Sequence, residues 1–140
     1  KALSVYGQDH LVQAQLCACQ GILESGIIGG GSLLTRKYNN WFGIKGKGIK
    51  TGRSIALPTW EHIRGKDIKV KANFAWNDSV EESFEQHKTL MLKPRYKAIW
   101  EARDLPEAAN AVWKAGYATD KNYVSKLISI YTIYYKYPVK

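Results

Sequence analysis

The chain has 140 residues, of which 45% are hydrophobic, as is typical of one globular domain with its own core. Lys and Arg outnumber Asp and Glu by 21 to 12, and the net charge of +9 leaves four readings open: nucleic acid, an anionic membrane or an acidic wall polymer as partner, or a basic surface without a special ligand. The sequence holds no apolar run of membrane-spanning length, so no membrane insertion is expected. Because it starts at Lys1 without Met or a leader, we expect a single domain over residues 1–140, excised from a larger protein.

The two cysteines, Cys17 and Cys19, are separated by one residue. On a helix this spacing points the two side chains toward different faces, so a bond between them is not expected. No second Cys or His pair completes a zinc site. The sequence therefore predicts buried free thiols, no metal and no cofactor.

The first long predicted helix covers residues 8–24. Its apolar face is formed by Val12, Leu16, Cys19 and Leu23. Asp9 lies just before this helix and is expected to cap it. Glu24 is the last helical residue, and a glycine-rich stretch from Gly26 to Gly31 follows. The pattern thus places a carboxyl group at a helix end beside a turn that substrate can approach closely.

Residues 32–46 predict a short helix followed by a turn rich in Asn and Gly. Trp41 and Phe42 lie inside this turn, between Asn39-Asn40 and Gly43. Large aromatic side chains are unfavourable in a solvated loop. We therefore expect the two aromatics to pack at a core edge or to line a cleft.

Residues 47–76 change to an alternation with a period of two. From Ile68 to Trp76 every second residue is apolar, which is typical of a half-buried strand. The stretch 55–63 can pair with it through a turn at Arg64-Gly65. This predicts a small β-lobe within a helical protein.

Helices return after residue 78. Ser79 and Glu82 form an S-x-x-E capping box, Pro106 opens the next helix, and Gly116 ends it. Thr119-Asp120 is predicted to cap the last helix. One stripe of that helix consists of Tyr123, Leu127, Ile130, Tyr131 and Tyr134. The fold class is therefore α+β, a mainly helical body with a small β-lobe that forms a cleft.

Glu24 has apolar neighbours on its N-terminal side and a turn of small residues on the other. An apolar setting raises the pKa of a carboxyl group because it disfavours the charged form. Glycoside cleavage needs such a carboxyl group as proton donor. The alternative is an ion pair of Glu24 with Arg36 or Lys37.

Glu61 lies in a strongly basic segment, since residues 36–71 contain ten Lys or Arg and only two acids. A lone carboxylate in such surroundings stays ionised, which suits a general base or a stabiliser of positive charge. The alternative is a salt bridge with Arg64 or Lys69. The bases themselves follow no helical period and accompany no recognition motif, so no nucleic acid is expected as partner.

Three segments in this order resemble the bacterial and phage β-N-acetylglucosaminidases of glycoside hydrolase family 73. They are Leu23-Glu24-Ser25-Gly26, the turn from Asn39 to Gly46, and Gly116-Tyr117-Ala118-Thr119-Asp120 with Tyr123. Together they span nearly the whole chain. One departure is the segment 74–77, Phe-Ala-Trp-Asn, which lacks the Arg usual in the family.

The resemblance implies a lysozyme-like fold and hydrolysis of the β-1,4 bond between N-acetylglucosamine and N-acetylmuramic acid in the peptidoglycan glycan strand. It implies a monomeric glucosaminidase domain of a bacterial autolysin or phage lysin, located in the cell wall or on the virion. Its implied catalytic residues are Glu24 as general acid, Glu61 and Tyr117. Candidate substrate-binding residues are Asn39, Asn40, Phe42, Trp76 and Tyr123, of which Asn40 is also a structural candidate and Trp76 and Tyr123 are core candidates. A muramidase, a lytic transglycosylase and a non-catalytic wall-binding module remain as alternatives.

Overall fold

The computed structural model describes residues 1–136. A two-stranded antiparallel sheet projects from a helical body. The helices are α1 (Ala2–Tyr6), α2 (Leu11–Ser25), α3 (Leu33–Tyr38), α4 (Val80–Met91), α5 (Lys97–Glu101), α6 (Leu105–Lys114) and α7 (Tyr123–Tyr131), and the strands are β1 (Arg53–Ile63) and β2 (Lys66–Trp76). The predicted α+β class and the order of its elements are confirmed.

Helix α2 lies at the centre of the body because it buries two faces. Leu16 and Cys19 pack into a cluster with the buried residues of α6 and α7. Cys17 packs into a second cluster that contains Phe42 and Phe84. Both cysteines are fully buried free thiols, as predicted.

The hairpin of β1 and β2 is anchored at its base and exposed toward its tip. Phe74 and Ala75 are buried, and the Ala75 amide donates to the carbonyl of Ile44 at 2.9 Å. The turn at Arg64 and Gly65 has φ values of 51° and 76°, as a tight two-residue hairpin requires. The predicted β-lobe and its turn are therefore confirmed.

Helix α4 begins where the capping box predicts. The Ser79 hydroxyl accepts a hydrogen bond from the Glu82 amide at 3.2 Å, and the Glu82 carboxylate accepts one from the Asp78 amide at 2.9 Å. Such caps satisfy amides that the first helical turn leaves without partners. The helix thereby presents Phe84 and His87 to the core, where both are buried.

Three local predictions are wrong. Asp9 lies in a 3-10 turn and makes no side-chain cap, since α2 begins at Leu11 after His10. Thr119-Asp120 does not cap α7, whose N-cap is Asn122, although the Asp120 carboxylate accepts a hydrogen bond from the Asn122 amide at 2.9 Å. Tyr134 leaves the buried stripe because the chain widens into a π-helical turn after Tyr131, and it is 48% exposed.

Helix α1 is an element that the sequence did not predict. Its five residues are too short to show an apolar period. Within residues 1–136, none of the helices is long and apolar enough to cross a membrane. The expected domain boundary at residue 140 lies outside the described residues.

Candidate active site

Helix α2 ends directly after Glu24-Ser25 because the backbone turns left-handed at Gly26, with φ of 65°. The Ser32 amide donates to the Ser25 carbonyl at 2.9 Å and closes the glycine-rich loop. Glu24 therefore lies in the last turn of a rigid helix, beside a loop that folds back and leaves space in front of the side chain.

An open cleft runs past Glu24 between the helical body and the hairpin. It consists of three adjoining hollows of about 750, 520 and 730 Å³, and Glu24 and Lys45 line all three. The first is bounded by the segment 116–120 and Trp60, and the second by Phe42 and the hairpin segment 57–59. Volumes of this size hold a small-molecule ligand or several sugar rings.

The Glu24 side chain is exposed to the cleft, although neighbouring protein partly buries its carboxyl group. Burial raises the pKa of this carboxyl above its ordinary value. The Tyr123 hydroxyl donates a hydrogen bond to Glu24 Oε1 at 3.0 Å, which lowers the pKa and partly opposes burial. Burial is the larger effect, so Glu24 holds its proton to a higher pH than an ordinary glutamate.

The alternative ion pair of Glu24 with Arg36 or Lys37 does not form. Arg36 instead donates through Nε to the Gly31 carbonyl at 3.0 Å. Among residues 1–136, no Lys, Arg or His lies within ion-pair distance of the Glu24 carboxylate. The carboxyl is thus available for proton transfer.

Glu61 is ion-paired, but with a partner that the sequence did not predict. Lys45 Nζ lies 2.7 Å from Glu61 Oε1, and neither Arg64 nor Lys69 takes this position. Lys45 comes from the loop after Phe42 and bridges from the cleft to the hairpin. Glu61 itself lines none of the three hollows, and its link to the cleft is this contact with Lys45.

Tyr117 and Tyr123 flank Glu24 from the C-terminal part of the chain. Their ring centroids are 6.1 Å apart. Tyr117 lines two of the hollows, and burial together with the negative charge of Glu24 raises the pKa of its hydroxyl, which stays protonated. Tyr123 also lines the first hollow, but only 3% of it is exposed, and its hydroxyl donates to Glu24.

The other predicted binding residues separate into two groups. Phe42 lines two hollows beside Glu24. Asn39 and Asn40 do not line this cleft, because their amides bind backbone carbonyls of residues 44, 75 and 77. Trp76 also lies away from it and packs edge-on against Tyr38 at 4.9 Å. The Asn pair and Trp76 therefore build the loop and the hairpin base.

Lys45, Trp60 and Asp120 are among the cleft residues that sequence reasoning missed. Trp60 is 67% exposed and shares a hollow with Glu24. The sequence could have indicated Trp60 as a surface for stacking on sugars, because it is an indole next to Glu61 on an exposed strand. Asp120 lines the same hollow and is paired with Lys126 at 2.6 Å.

A further hollow of about 850 Å³ lies outside the cleft, around Arg95, Asp104 and Lys114. Its acids already have partners, since Asp104 caps α6 and Glu107 accepts from Arg103. In the part of the chain that the structure describes, no three His, Cys, Asp or Glu side chains are grouped to hold a metal ion.

Comparisons with known proteins agree with this geometry. Residues 1–136 match the family model Glucosaminidase, described as mannosyl-glycoprotein endo-beta-N-acetylglucosaminidase. The chain is 34% identical over 132 residues to the exo-glucosaminidase LytG of Bacillus subtilis, covering 90% of this chain and 45% of that protein. It is 34% identical over 129 residues to the peptidoglycan hydrolase FlgJ of Escherichia coli, covering 88% and 40%. The chain thus spans less than half the length of these two relatives.

A solved structure shows the same fold. The catalytic domain of the autolysin Auto from Listeria monocytogenes superposes with a TM-score of 0.80 at 31% identity, and the match covers 95% of this chain and 77% of that one. The predicted lysozyme-like architecture is confirmed.

Proposed function

We propose that this chain, which belongs to the glucosaminidase family, hydrolyses peptidoglycan at the β-1,4 bond between N-acetylglucosamine and N-acetylmuramic acid. The observation that carries the proposal is Glu24, a carboxyl group with a raised pKa at the centre of an open cleft. The names of relatives such as LytG and FlgJ support the substrate class.

Glu24 acts as the general acid in this proposal. Burial raises the pKa of the carboxyl and so favours its protonated form, and the open side of the cleft lets a glycosidic oxygen approach it. Proton donation to the leaving oxygen stabilises the transition state, in which positive charge develops on the sugar ring. Tyr117 and Tyr123 restrict the orientation of the carboxyl from the C-terminal side.

Glu61 is the second carboxylate of the proposed mechanism. From the hairpin it can activate a water on the opposite face of the sugar, which inverts the anomeric centre. The alternative route is attack by the substrate's own 2-acetamido group, which retains the configuration. NMR of the first-formed product distinguishes these routes by its anomeric configuration.

The proposed ligand is a glycan strand that lies along the cleft. Trp60 is the exposed aromatic residue that suits stacking on a sugar ring, and Phe42 forms part of the opposite wall. We place the domain outside the cell membrane, at the wall of a bacterium or on a phage particle, and acting as a monomer.

The direct test replaces Glu24 by Gln, which keeps the size of the side chain and removes the acid. Glu24→Gln should lower the rate of wall lysis by at least about 100-fold, with an unchanged circular dichroism spectrum. Glu101→Gln is the matched control, since Glu101 also ends a helix but lies outside the cleft. Lysis by Glu24→Gln at the rate of Glu101→Gln would contradict the proposal.

The products identify the bond. Mass spectrometry of digested wall should show reducing N-acetylglucosamine ends. Reducing N-acetylmuramic acid would instead indicate a muramidase, and an anhydro-sugar a lytic transglycosylase. Tight binding without any cleavage would indicate a wall-binding module.

A further inference from the structure

A chain of buried hydrogen bonds leads from the core to Glu24. The Tyr6 hydroxyl lies 2.6 Å from His87 Nδ1, and His87 Nε2 lies 2.7 Å from Gln20 Oε1. Gln20 Nε2 lies 3.0 Å from the Tyr123 hydroxyl, which reaches Glu24 Oε1 at 3.0 Å. The chain joins α1, α2, α4 and α7, and its first four members are buried.

The direction of every bond follows from the ionised form of Glu24. A carboxylate only accepts, so Tyr123 donates its one hydroxyl proton to Oε1. The Tyr123 oxygen then accepts from Gln20 Nε2, which leaves Gln20 Oε1 as an acceptor. His87 must therefore carry its proton on Nε2, and its bare Nδ1 accepts from Tyr6. All donors point toward Glu24.

The state of His87 fits this direction. Burial lowers the pKa of its imidazole to about 3, so the ring is neutral and has one donor and one acceptor nitrogen. The Phe42 ring lies 4.4 Å from it and helps to exclude water. The neutral ring can donate to one of its two partners, Tyr6 or Gln20, and accept from the other, and its tautomer decides which.

We propose that Gln20 and His87 are positioning residues of the reaction, which hold the Tyr123 hydroxyl as a donor to Glu24 Oε1 and thereby keep the catalytic proton on Oε2. The inference rests on the proposed function of Glu24 as general acid. Among residues 1–136 Tyr123 is the one side chain whose hydrogen bond to Glu24 meets standard geometry, and that bond is to Oε1. Reversal of the chain would place the proton on Oε1, directed into the protein.

Other charges near Glu24 do not replace this contact. The titratable groups around its cleft are Tyr117, Tyr123, Lys45, Lys93, Arg95 and Tyr96, together with the pair of Asp120 and Lys126. At the other end of the hydrogen-bond chain, Cys17 and Lys88 lie beside Tyr6. The Cys17 thiol stays protonated because burial raises its pKa.

The effect of breaking the chain has a defined sign. Without His87 or Gln20 the Tyr123 hydroxyl is free to turn away from Glu24. Glu24 then loses a hydrogen bond that stabilises its ionised form, and its pKa rises. Because the general acid must be protonated, the alkaline limb of kcat/KM should move upward by about one pH unit.

The test combines NMR with two matched leucine variants. Gln20→Leu and Gln13→Leu each remove a buried amide from the same helix. Gln13 does not belong to the hydrogen-bond chain, because its amide donates to the Ile99 carbonyl. A ¹³C titration of the Glu24 carboxyl should give a higher pKa in Gln20→Leu and the wild-type pKa in Gln13→Leu. The alkaline limb of kcat/KM should follow the same pattern, with KM unchanged.

The His87 end is tested without relying on a folded variant. ¹⁵N NMR of the wild type should show His87 protonated on Nε2 and bare at Nδ1 from pH 5 to pH 8. His87→Leu should reproduce the shift of Gln20→Leu, and His87→Gln, which restores a donor, should reverse it. An Nδ1-protonated tautomer of His87 would overturn the inference. Equal Glu24 pKa values in Gln20→Leu and Gln13→Leu would also overturn it.

These measurements separate the two proposals. The Glu24 pKa is read by NMR in the absence of substrate, so it responds to the chain whatever reaction the protein catalyses. Full lysis by Glu24→Gln would end the proposed function, while a wild-type Glu24 pKa in Gln20→Leu would end only the present inference.

Discussion

Glu24 is subject to two opposing effects, and their difference sets its chemistry. Burial in the cleft wall disfavours the carboxylate, whereas the Tyr123 hydroxyl favours it. In the proposed role of general acid the balance of the two effects matters, because a general acid is most efficient when its pKa lies near the pH of the reaction.

Glu61 differs because its carboxylate, on the exposed hairpin, is paired with Lys45. Glu61→Gln should lower kcat by about 100-fold if it activates water, and by much less if the acetamido group attacks. Single-turnover kinetics on a defined glycan measures this. Asp67→Asn is the control, since Asp67 lies on the same hairpin and pairs with His62 near its tip. Equal rates for the two variants would restrict Glu61 to a structural contact with Lys45.

The elements that sequence predicted well are those with a local signal. Helix α2 has a clear apolar period, and the hairpin has an alternation of two with a Gly in its turn. The apolar flank and the following glycines made Glu24 a candidate, and the family resemblance implied its catalytic role. Helix α1 was missed because five residues carry no period.

The rest of the site depends on contacts between distant segments. Tyr123 is 99 residues from Glu24, and His87 is 67 residues from Gln20. No spacing rule links such positions, so the sequence indicated Tyr123 only as a stacking or core candidate. The contacts of Asn40 fit its structural alternative, since its amide binds the backbone carbonyls of Ile44 and Ala75.

Helix α4 carries His87 and Phe84, so its cap matters for the site. Ser79→Ala should reduce the free energy of unfolding by about 1 kcal/mol, because the Glu82 amide loses its acceptor. Urea denaturation measures the change. Ser129→Ala on α7 is the control, an exposed helical serine that should shift the midpoint little. Equal midpoints for the two variants would mean that the cap contributes nothing measurable.

At the scale of the whole molecule, the cleft exists because two unlike parts meet at Glu24. The helical body supplies a rigid acid, and the hairpin supplies Trp60 and Glu61 on an exposed arm. Backbone hydrogen bonds join the base of the hairpin to residues 44–46, while its tip is exposed. Such an arm can adjust to a polymer without disturbing the acid.

The net charge of +9 adds a long-range attraction to an anionic wall. Lysis of intact wall should therefore slow as salt rises, whereas cleavage of a short soluble glycan fragment should depend on salt much less, because salt screens the long-range attraction to the many charges of the wall. Lys69→Gln with Lys71→Gln on the hairpin should weaken the salt dependence. The same loss of charge at Lys97 and Lys114, on α5 and α6, should weaken it less. Equal salt slopes for the two double variants would show that net charge, not the basic hairpin, attracts the wall.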